Sequence, residues 1–239
     1  MAANKRVAEA LASLNKMSTK KVRDGMSRFG IPNGRAIGVP VGEMRKLAKQ
    51  LGCDHELAEA LWHEEFYEAR MLATMVADPR RVTPKLMDAW CRDFDNWALC
   101  DTACFSLWHL TPHAFAKVKV WSKRKGEFQK RAAFALLASL AQHDKKAPDE
   151  PFLACLPLIE ECADDDRNFV MKGVNWALRG IGERSKALHL AAMTLAKQLA
   201  KSDGKAQRWV GKDAVRQLQK PAILARIKRG SAKKSAAKK

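Results

Sequence analysis

The sequence predicts an all-α protein, built as a curved α-solenoid of paired antiparallel helices. Apolar residues recur at intervals of three and four along almost the whole chain, while runs of Val, Ile and Thr are nearly absent. Capping residues mark many helix starts, and the connections between helices are short, which favours antiparallel neighbours. A hydrophobic content of 47 % in 239 residues is also enough to bury a sizeable core.

The helix starts can be placed from N-cap residues and from proline in the first turn. Expected N-caps are Ser18, Asp54, Thr83, Thr111 and Ser185, and proline follows directly after the third and the fourth of them. The predicted helices cover residues 4–16, 18–29, 41–51, 55–64, 66–77, 84–94, 97–109, 112–122, 127–142, 151–164, 168–182, 186–202 and 207–219.

Four of the predicted helices can be superposed as repeats. They cover residues 66–77, 97–109, 127–142 and 168–182. Their equivalent positions are Arg70, Asp101, Arg131 and Lys172, which are separated by 31, 30 and 41 residues. Intervals of this size are typical of the paired helices of HEAT-like repeats. We therefore expect a single HEAT-like helical-repeat domain over residues 1–225.

The charge balance indicates a polyanionic partner. The chain has 44 Lys and Arg against 26 Asp and Glu, a formal net charge of +18. Seven of the basic residues and no acidic residue lie in 226–239, which we expect to be a disordered basic tail. The rest of the chain still carries a large positive excess. Nucleic acid is the usual partner of such a surface, and a merely soluble basic protein is the alternative.

Several other classes are not favoured by the sequence. No segment approaches the roughly 20 apolar residues of a membrane span, and we expect no membrane association. The six cysteines form no C-x-x-C pair, and Cys100 and Cys104, four residues apart, are more typical of buried thiols than of metal ligands. We expect no cofactor and no metal, and a cytoplasmic monomer that is nucleoid-associated when bound to DNA.

The equivalent positions of the four repeats form a row of charged side chains. In a helical-repeat stack, the second helix of each pair lines the concave face, so Arg70, Arg131 and Lys172 could contact a phosphate backbone there. Asp101 is the exception, because an acid in a basic row would repel phosphate. A functional role for this carboxylate is one interpretation, and an ordinary salt bridge to a neighbouring cation is the other.

Two tryptophans accompany this row. Trp97 precedes Asp101 by four residues and therefore shares its helix face, while Trp176 follows Lys172 by four residues in a later repeat. Two indoles beside a carboxylate could hold a flat cationic group by stacking and cation–π attraction. Chance placement is the alternative, since the chain has seven tryptophans. The other five, which we interpret as packing residues, are Trp62, Trp90, Trp108, Trp121 and Trp209.

At these residues the sequence resembles the DNA alkylation repair HEAT-repeat glycosylases of the AlkD type. The family's W-x-x-x-D helix is matched at 96–101, its basic helix start at 128–133 and its W-x-L-R helix at 176–179. Gly30-Ile31 and residues 39–45 resemble the segment that precedes the first repeat of the family. The matches occur in the family's order over roughly residues 25 to 220.

The resemblance implies a monofunctional DNA glycosylase that excises cationic alkylated purines such as N3-methyladenine and N7-methylguanine from duplex DNA, without base flipping. Carried over, Asp101 would be the catalytic carboxylate, and Trp97 and Trp176 would pack against the sugar and backbone of the lesion. The basic residues expected to bind DNA are Arg131, Arg70, Lys172, Lys130 and Arg179.

The chemistry agrees with a single carboxylate. A cationic base is already a good leaving group, so catalysis reduces to stabilising the positive charge that develops on deoxyribose. No lysine adjoins Asp101 in the sequence, which argues against a Schiff base. Asn96 and residues 98–100 depart from the family's pattern. The alternatives are a non-catalytic HEAT-repeat module that binds damaged or branched DNA, and a helical scaffold for an acidic protein.

Overall fold

The computed structural model describes residues 2–236 of the backbone and the side chains of residues 5–229. Helices are the regular secondary structure of the described residues, which contain no strand. The chain divides into two compact units, Met1–His113 and Ala114–Lys239, and the single domain over residues 1–225 stays a prediction. The boundary falls at the turn that contains Thr111 and Pro112, where no helix continues.

The first unit contains seven α-helices in its described part. They are α1 (Ala2–Lys16), α2 (Lys20–Gly25), α3 (Val41–Leu51), α4 (His55–His63), α5 (Tyr67–Val76), α6 (Pro84–Arg92) and α7 (Trp97–Ser106). Short 3-10 turns follow α2 at Met26–Phe29 and α7 at Trp108–Leu110. The helix α5 packs against α3, α4 and α7 and so forms the centre of this unit.

The second unit contains eight α-helices in its described part. They are α8 (Ala114–Trp121), α9 (Glu127–His143), α10 (Glu150–Leu153), α11 (Leu156–Cys162), α12 (Asn168–Gly182), α13 (Lys186–Leu199), α14 (Lys205–Leu218) and α15 (Pro221–Ala236). The helix α12 packs against α9, α13 and α14. Every residue of α9 from Arg131 to Ala141 is buried, so this helix lies in the interior of the structure.

Most of the predicted helix starts are confirmed. Asp54, Thr83 and Ser185 each accept a hydrogen bond from the backbone N–H three residues later. Two predicted caps are wrong. Thr19, not Ser18, caps α2, and the Thr111 hydroxyl donates to the Trp108 carbonyl, so it closes a 3-10 turn and α8 begins only at Ala114.

The predicted repeat helices correspond to α5, α7, α9 and α12 within a few residues at each end. The predicted helix 151–164 is divided into α10 and α11. Pro157 lies in the first turn of α11, where its missing N–H costs nothing, whereas within a continuous helix it would remove a backbone hydrogen bond. The prediction of one continuous helix over 151–164 is therefore wrong.

Four of the five tryptophans predicted to be packing residues are buried. Trp108 and Trp121 are fully inaccessible, and Trp62 stacks on Trp90 with ring centroids 4.2 Å apart. The prediction is wrong for Trp209, which lies on α14 and is 40 % exposed.

The basic segment 226–239, predicted to be disordered, is helical as far as Ala236 and continues α15. Ala, Lys and Arg have high helix propensity, which explains why a segment without an apolar pattern still forms a helix. Residues 237–239 lie outside the described part of the chain. None of the helices described here is both long and apolar enough to cross a bilayer.

Candidate functional site

Trp97 and Asp101 lie one turn apart on the same face of α7. The side chain of Asn96 accepts a hydrogen bond from the Leu99 N–H at 2.9 Å, so α7 begins at Trp97. Trp97 and Asp101 are both half-buried, and the Asp101 side chain has interaction partners within the structure. The predicted pairing of an indole with a carboxylate at the start of this helix is therefore present. Asn96, a departure from the family's pattern, acts as the cap.

The Trp97 indole is held by the segment that follows α2. Its N–H donates to the Phe29 carbonyl at 2.7 Å. The ring packs, together with Tyr67, against a small apolar cluster that consists of Met26, Ile31, Ala36 and Ala98. Burial raises the pKa of Tyr67, and the neighbouring Glu68 and Asp95 raise it further, so this phenol stays neutral. The hydrogen bond and the apolar packing fix the plane of the indole, and the exposed part of its ring remains accessible.

Glu68 fixes this segment to α5 and was missed by the sequence analysis. Its carboxylate is fully buried and accepts hydrogen bonds from the backbone N–H groups of Ile37, Gly38 and Val39, at 2.7, 2.7 and 3.1 Å. Gly38 has a φ of 95°, and a Cβ at this position would lie 2.6 Å from the Thr19 carbonyl oxygen. A glutamate inside an apolar helix run, paired with a glycine upstream, is the signal that could have identified this clamp.

Phe29 is a second residue that sequence reasoning left unused. It is 66 % exposed, although its carbonyl holds Trp97. Arg28 and Arg35, in the same segment, are also exposed, and Arg35 forms an ion pair with Glu65. An exposed aromatic ring between arginines is typical of surfaces that contact nucleic acid.

Arg70, which was predicted to contact DNA, has structural partners within the first unit. Its Nε donates to the Trp62 carbonyl at 3.2 Å, and its guanidinium carbon lies 5.4 Å from the centroid of the Trp62 ring. A further contact of 3.4 Å joins Nη1 to the Asp93 carbonyl. These contacts direct the guanidinium towards the ends of α4 and α6. A phosphate contact by Arg70 stays a prediction.

Lys130 is held by the turn that precedes α12, and Arg131 is held by the first turn of α12. Arg131 is only 6 % exposed, and its Nη1 donates to the Phe169 carbonyl at 2.7 Å. Lys130 forms an ion pair of 3.1 Å with Asp165, which also accepts two hydrogen bonds from the guanidinium of Arg167. Hydrogen bonds from Arg167, together with the hydrogen bond and charge of Lys130, lower the pKa of Asp165 to about 2. The burial of Arg131 gives it a role in packing. Its contact with a phosphate stays a prediction.

Lys172, Trp176 and Arg179 lie on α12. Lys172 is exposed, and the other two are half-buried. Trp176 and Arg179 line a cavity of about 860 Å³, together with Arg184, Glu183 and Arg226 among others. The Nε atom of Arg179 also lies 4.0 Å from the Oδ2 atom of Asp213. Of the residues predicted for the site, the structure thus places Trp97 and Asp101 on one helix of the first unit, and these three on one helix of the second.

The two cysteines that flank Asp101 are part of the protein interior. Cys100 and Cys104 are fully buried. Burial raises the pKa of the Cys104 thiol well above its usual range, and the hydrogen bond with Cys100 raises it further, so this thiol stays protonated. Within the described residues, no group of three or more potential metal ligands occurs.

A comparison with known protein families identifies the chain. The family model described as "DNA alkylation repair enzyme" matches residues 10–218, which is most of the sequence. The chain belongs to the DNA alkylation repair enzyme family. This confirms the resemblance that the W-x-x-x-D and W-x-L-R helices indicated, and it supports a role in DNA repair.

A solved structure confirms the fold class. It belongs to a new family of proteins related to the HEAT-like repeat DNA glycosylases with affinity for branched DNA structures. It has 19 % identity, a TM-score of 0.72, and a match over 87 % of this chain and 94 % of that chain. A designed armadillo repeat protein in complex with a (KR)4 peptide matches at 11 % identity, over 92 % of this chain and 91 % of that chain, with a TM-score of only 0.36. No curated protein matches the chain.

Proposed function

We propose that this member of the DNA alkylation repair enzyme family is a monofunctional DNA glycosylase. Its substrates would be cationic alkylated purines in duplex DNA, N3-methyladenine and N7-methylguanine. The observation that carries the proposal is the pairing of Trp97 and Asp101 on one face of α7, in a chain that matches the family over residues 10–218. Both side chains are partly accessible, as a direct contact with a substrate requires.

In the proposed reaction, water attacks C1′ of the alkylated nucleotide while the bond from C1′ to the base nitrogen breaks. The electron pair of that bond leaves with the base and neutralises its positive charge, so no general acid is needed. Asp101 stabilises the positive charge that develops on the sugar and orients the water, whose proton is released. Trp97, with its indole N–H bonded to Phe29, offers a fixed ring face against which the sugar can pack.

A test of this proposal compares lesions of different charge. Purified protein is incubated with duplexes that carry one N7-methylguanine or one hypoxanthine, and the released bases are measured by liquid chromatography. We expect release of N7-methylguanine and retention of neutral hypoxanthine, because the site supplies charge stabilisation but little leaving-group activation. Release of hypoxanthine at a similar rate would contradict the proposal.

We also propose that the N-glycosidic bond is cleaved without the base being flipped out of the duplex.

The second candidate is a non-catalytic DNA-binding module. The solved relative with 19 % identity is described as belonging to a family with affinity for branched DNA structures, and it shares this fold. If this chain has that role, a four-way junction will bind more tightly than a linear duplex of the same length, and no base will be released. For either function we propose a cytoplasmic monomer that is nucleoid-associated when bound to DNA.

A further inference from the structure

The helix α14 repeats the side-chain pattern of α12. In α12, Lys172 is followed by Trp176 after four residues and by Arg179 after seven. In α14, Lys205 is followed by Trp209 and Lys212 at the same two intervals. The two patterns are 33 residues apart, an interval close to those that separate the first three repeat helices. Spacings of four and seven place the three side chains of each set on one helix face.

The α14 stripe, defined as Lys205, Trp209 and Lys212, faces solvent. Both lysines are exposed, and the indole-bearing residue is 40 % exposed. A tryptophan this accessible contrasts with the four buried tryptophans that form the core. A large aromatic ring between two cations is the side-chain combination that nucleic-acid-binding surfaces use, because the ring packs against sugar or base and the cations reach phosphates.

Close packing holds α14 in this orientation. The Asn175 side chain, itself buried, donates to the Val210 carbonyl at 3.1 Å and so ties α12 to α14. Gly211 allows α14 to approach α13, since a Cβ at this position would lie 2.2 Å from the Ala200 nitrogen. These contacts occupy the face of α14 opposite to Trp209. The indole is therefore presented to solvent by a rigid helix.

The groove beside the stripe is positively charged. A groove of about 500 Å³ continues from it between α13 and α14, and the described residues that line it include four cations and no acid: Lys197, Lys201, Lys212 and Arg216. The one acidic residue of α14 is Asp213, which is 14 % exposed and forms ion pairs with Arg216 and Arg179. The carboxylate of Asp213 is thereby compensated, and the surface keeps its attraction for a polyanion.

We propose that the α14 stripe is a further binding site for duplex DNA, which contacts the phosphate backbone away from the lesion. Lys205 and Lys212 are about 10 Å apart along the helix axis, which corresponds to about three phosphates of one strand at roughly 3.4 Å each. The lysines contact phosphates, and Trp209 packs against the deoxyribose between them. This inference rests on the proposed binding of duplex DNA, but it does not depend on base release.

The test uses the full-length protein and an undamaged duplex, with the dissociation constant measured by fluorescence anisotropy over a range of salt concentrations. The double variant Lys205→Gln/Lys212→Gln should lower the slope of log Kd against log salt by about 1.8, because each lost phosphate contact contributes about 0.9. Trp209→Ala should raise Kd about tenfold and leave the slope unchanged, and Trp209→Phe should restore most of the affinity.

The matched control is the double variant Lys85→Gln/Lys119→Gln, which removes two exposed lysines from α6 and α8. We expect this control to change the slope of log Kd against log salt by less than half as much as Lys205→Gln/Lys212→Gln does. Wild-type affinity in the stripe variants, or an equal effect in the control, would overturn the inference. A loss confined to single-stranded DNA would also overturn it. The binding measurement uses undamaged duplex and needs no base release, so its outcome is distinguishable from that of the N7-methylguanine release assay that tests the glycosylase proposal.

Discussion

The replacement Glu68→Gln should loosen the segment that holds Trp97. The Glu68 carboxylate is fully buried and accepts three backbone N–H groups, two at 2.7 Å and one at 3.1 Å. A glutamine keeps one acceptor oxygen, which can still serve Gly38 and Val39, but its NH2 group would face the Ile37 N–H. One buried donor is then left unpaired, and the charge assistance of the other two bonds is lost. We expect the free energy of unfolding to fall by about 3 kcal/mol.

The effect can be measured by urea denaturation and by hydrogen exchange. The matched control is Glu56→Gln, which removes the same charge from an exposed ion pair with Arg81 and should change the free energy of unfolding far less than Glu68→Gln does. Amide exchange at 37–39 should accelerate in Glu68→Gln alone. Because the segment also positions Trp97 through the Phe29 carbonyl, base release should slow about tenfold. Equal destabilisation by the two variants would contradict the role of the Glu68 carboxylate in holding the backbone of residues 37–39.

Three further outcomes are expected. Asp101→Asn should retain binding to damaged duplex and lose about 100-fold or more in base release, measured under single-turnover conditions, because a neutral amide cannot balance the charge on the sugar. Arg131→Ala should lower the free energy of unfolding by about 1–3 kcal/mol in urea denaturation, because it leaves the Phe169 carbonyl without this donor. A change of about one in the slope of log Kd against log salt, with no loss of stability, would instead indicate a phosphate contact. Asp165→Asn should destabilise the protein near pH 6, and the difference in stability from wild type should vanish as the pH falls from about 4 to about 2. Because folding lowers the pKa of Asp165, its carboxylate stabilises the protein above the usual pKa of an aspartate, and this stabilisation is lost once Asp165 is protonated in the folded protein.

The sequence predicted the repeat helices well because their signals are local. The apolar period and the capping side chains of Asp54, Thr83 and Ser185 act within one turn of the backbone they bond to. The pairing of Trp97 with Asp101 is local in the same sense, since four residues always bring two side chains onto one face. The helix that carries the two candidate residues could therefore be identified without a structure.

The residues that support the site could not be identified in this way, because their partners are distant in the chain. Glu68 bonds to backbone about 30 residues earlier, and Trp97 donates to a carbonyl 68 residues earlier. Arg131 was placed correctly on its repeat helix. Its partner Phe169 lies on α12, and the resulting burial is a property of the packed pair of helices.

The sequence by itself determined the helical class, the repeat spacing, the positive charge and the shared face of Trp97 and Asp101, because each depends on composition or on contacts within a few residues. Tertiary structure decided which of these side chains are exposed. Arg70 and Arg131 occupy the same repeat position as Lys172, yet packing engages both with protein carbonyls, whereas the indole of Trp209, which the sequence predicted to be a packing residue, is left exposed. Exposure is set by how neighbouring helices cover one another, and no periodicity along a single helix contains that information.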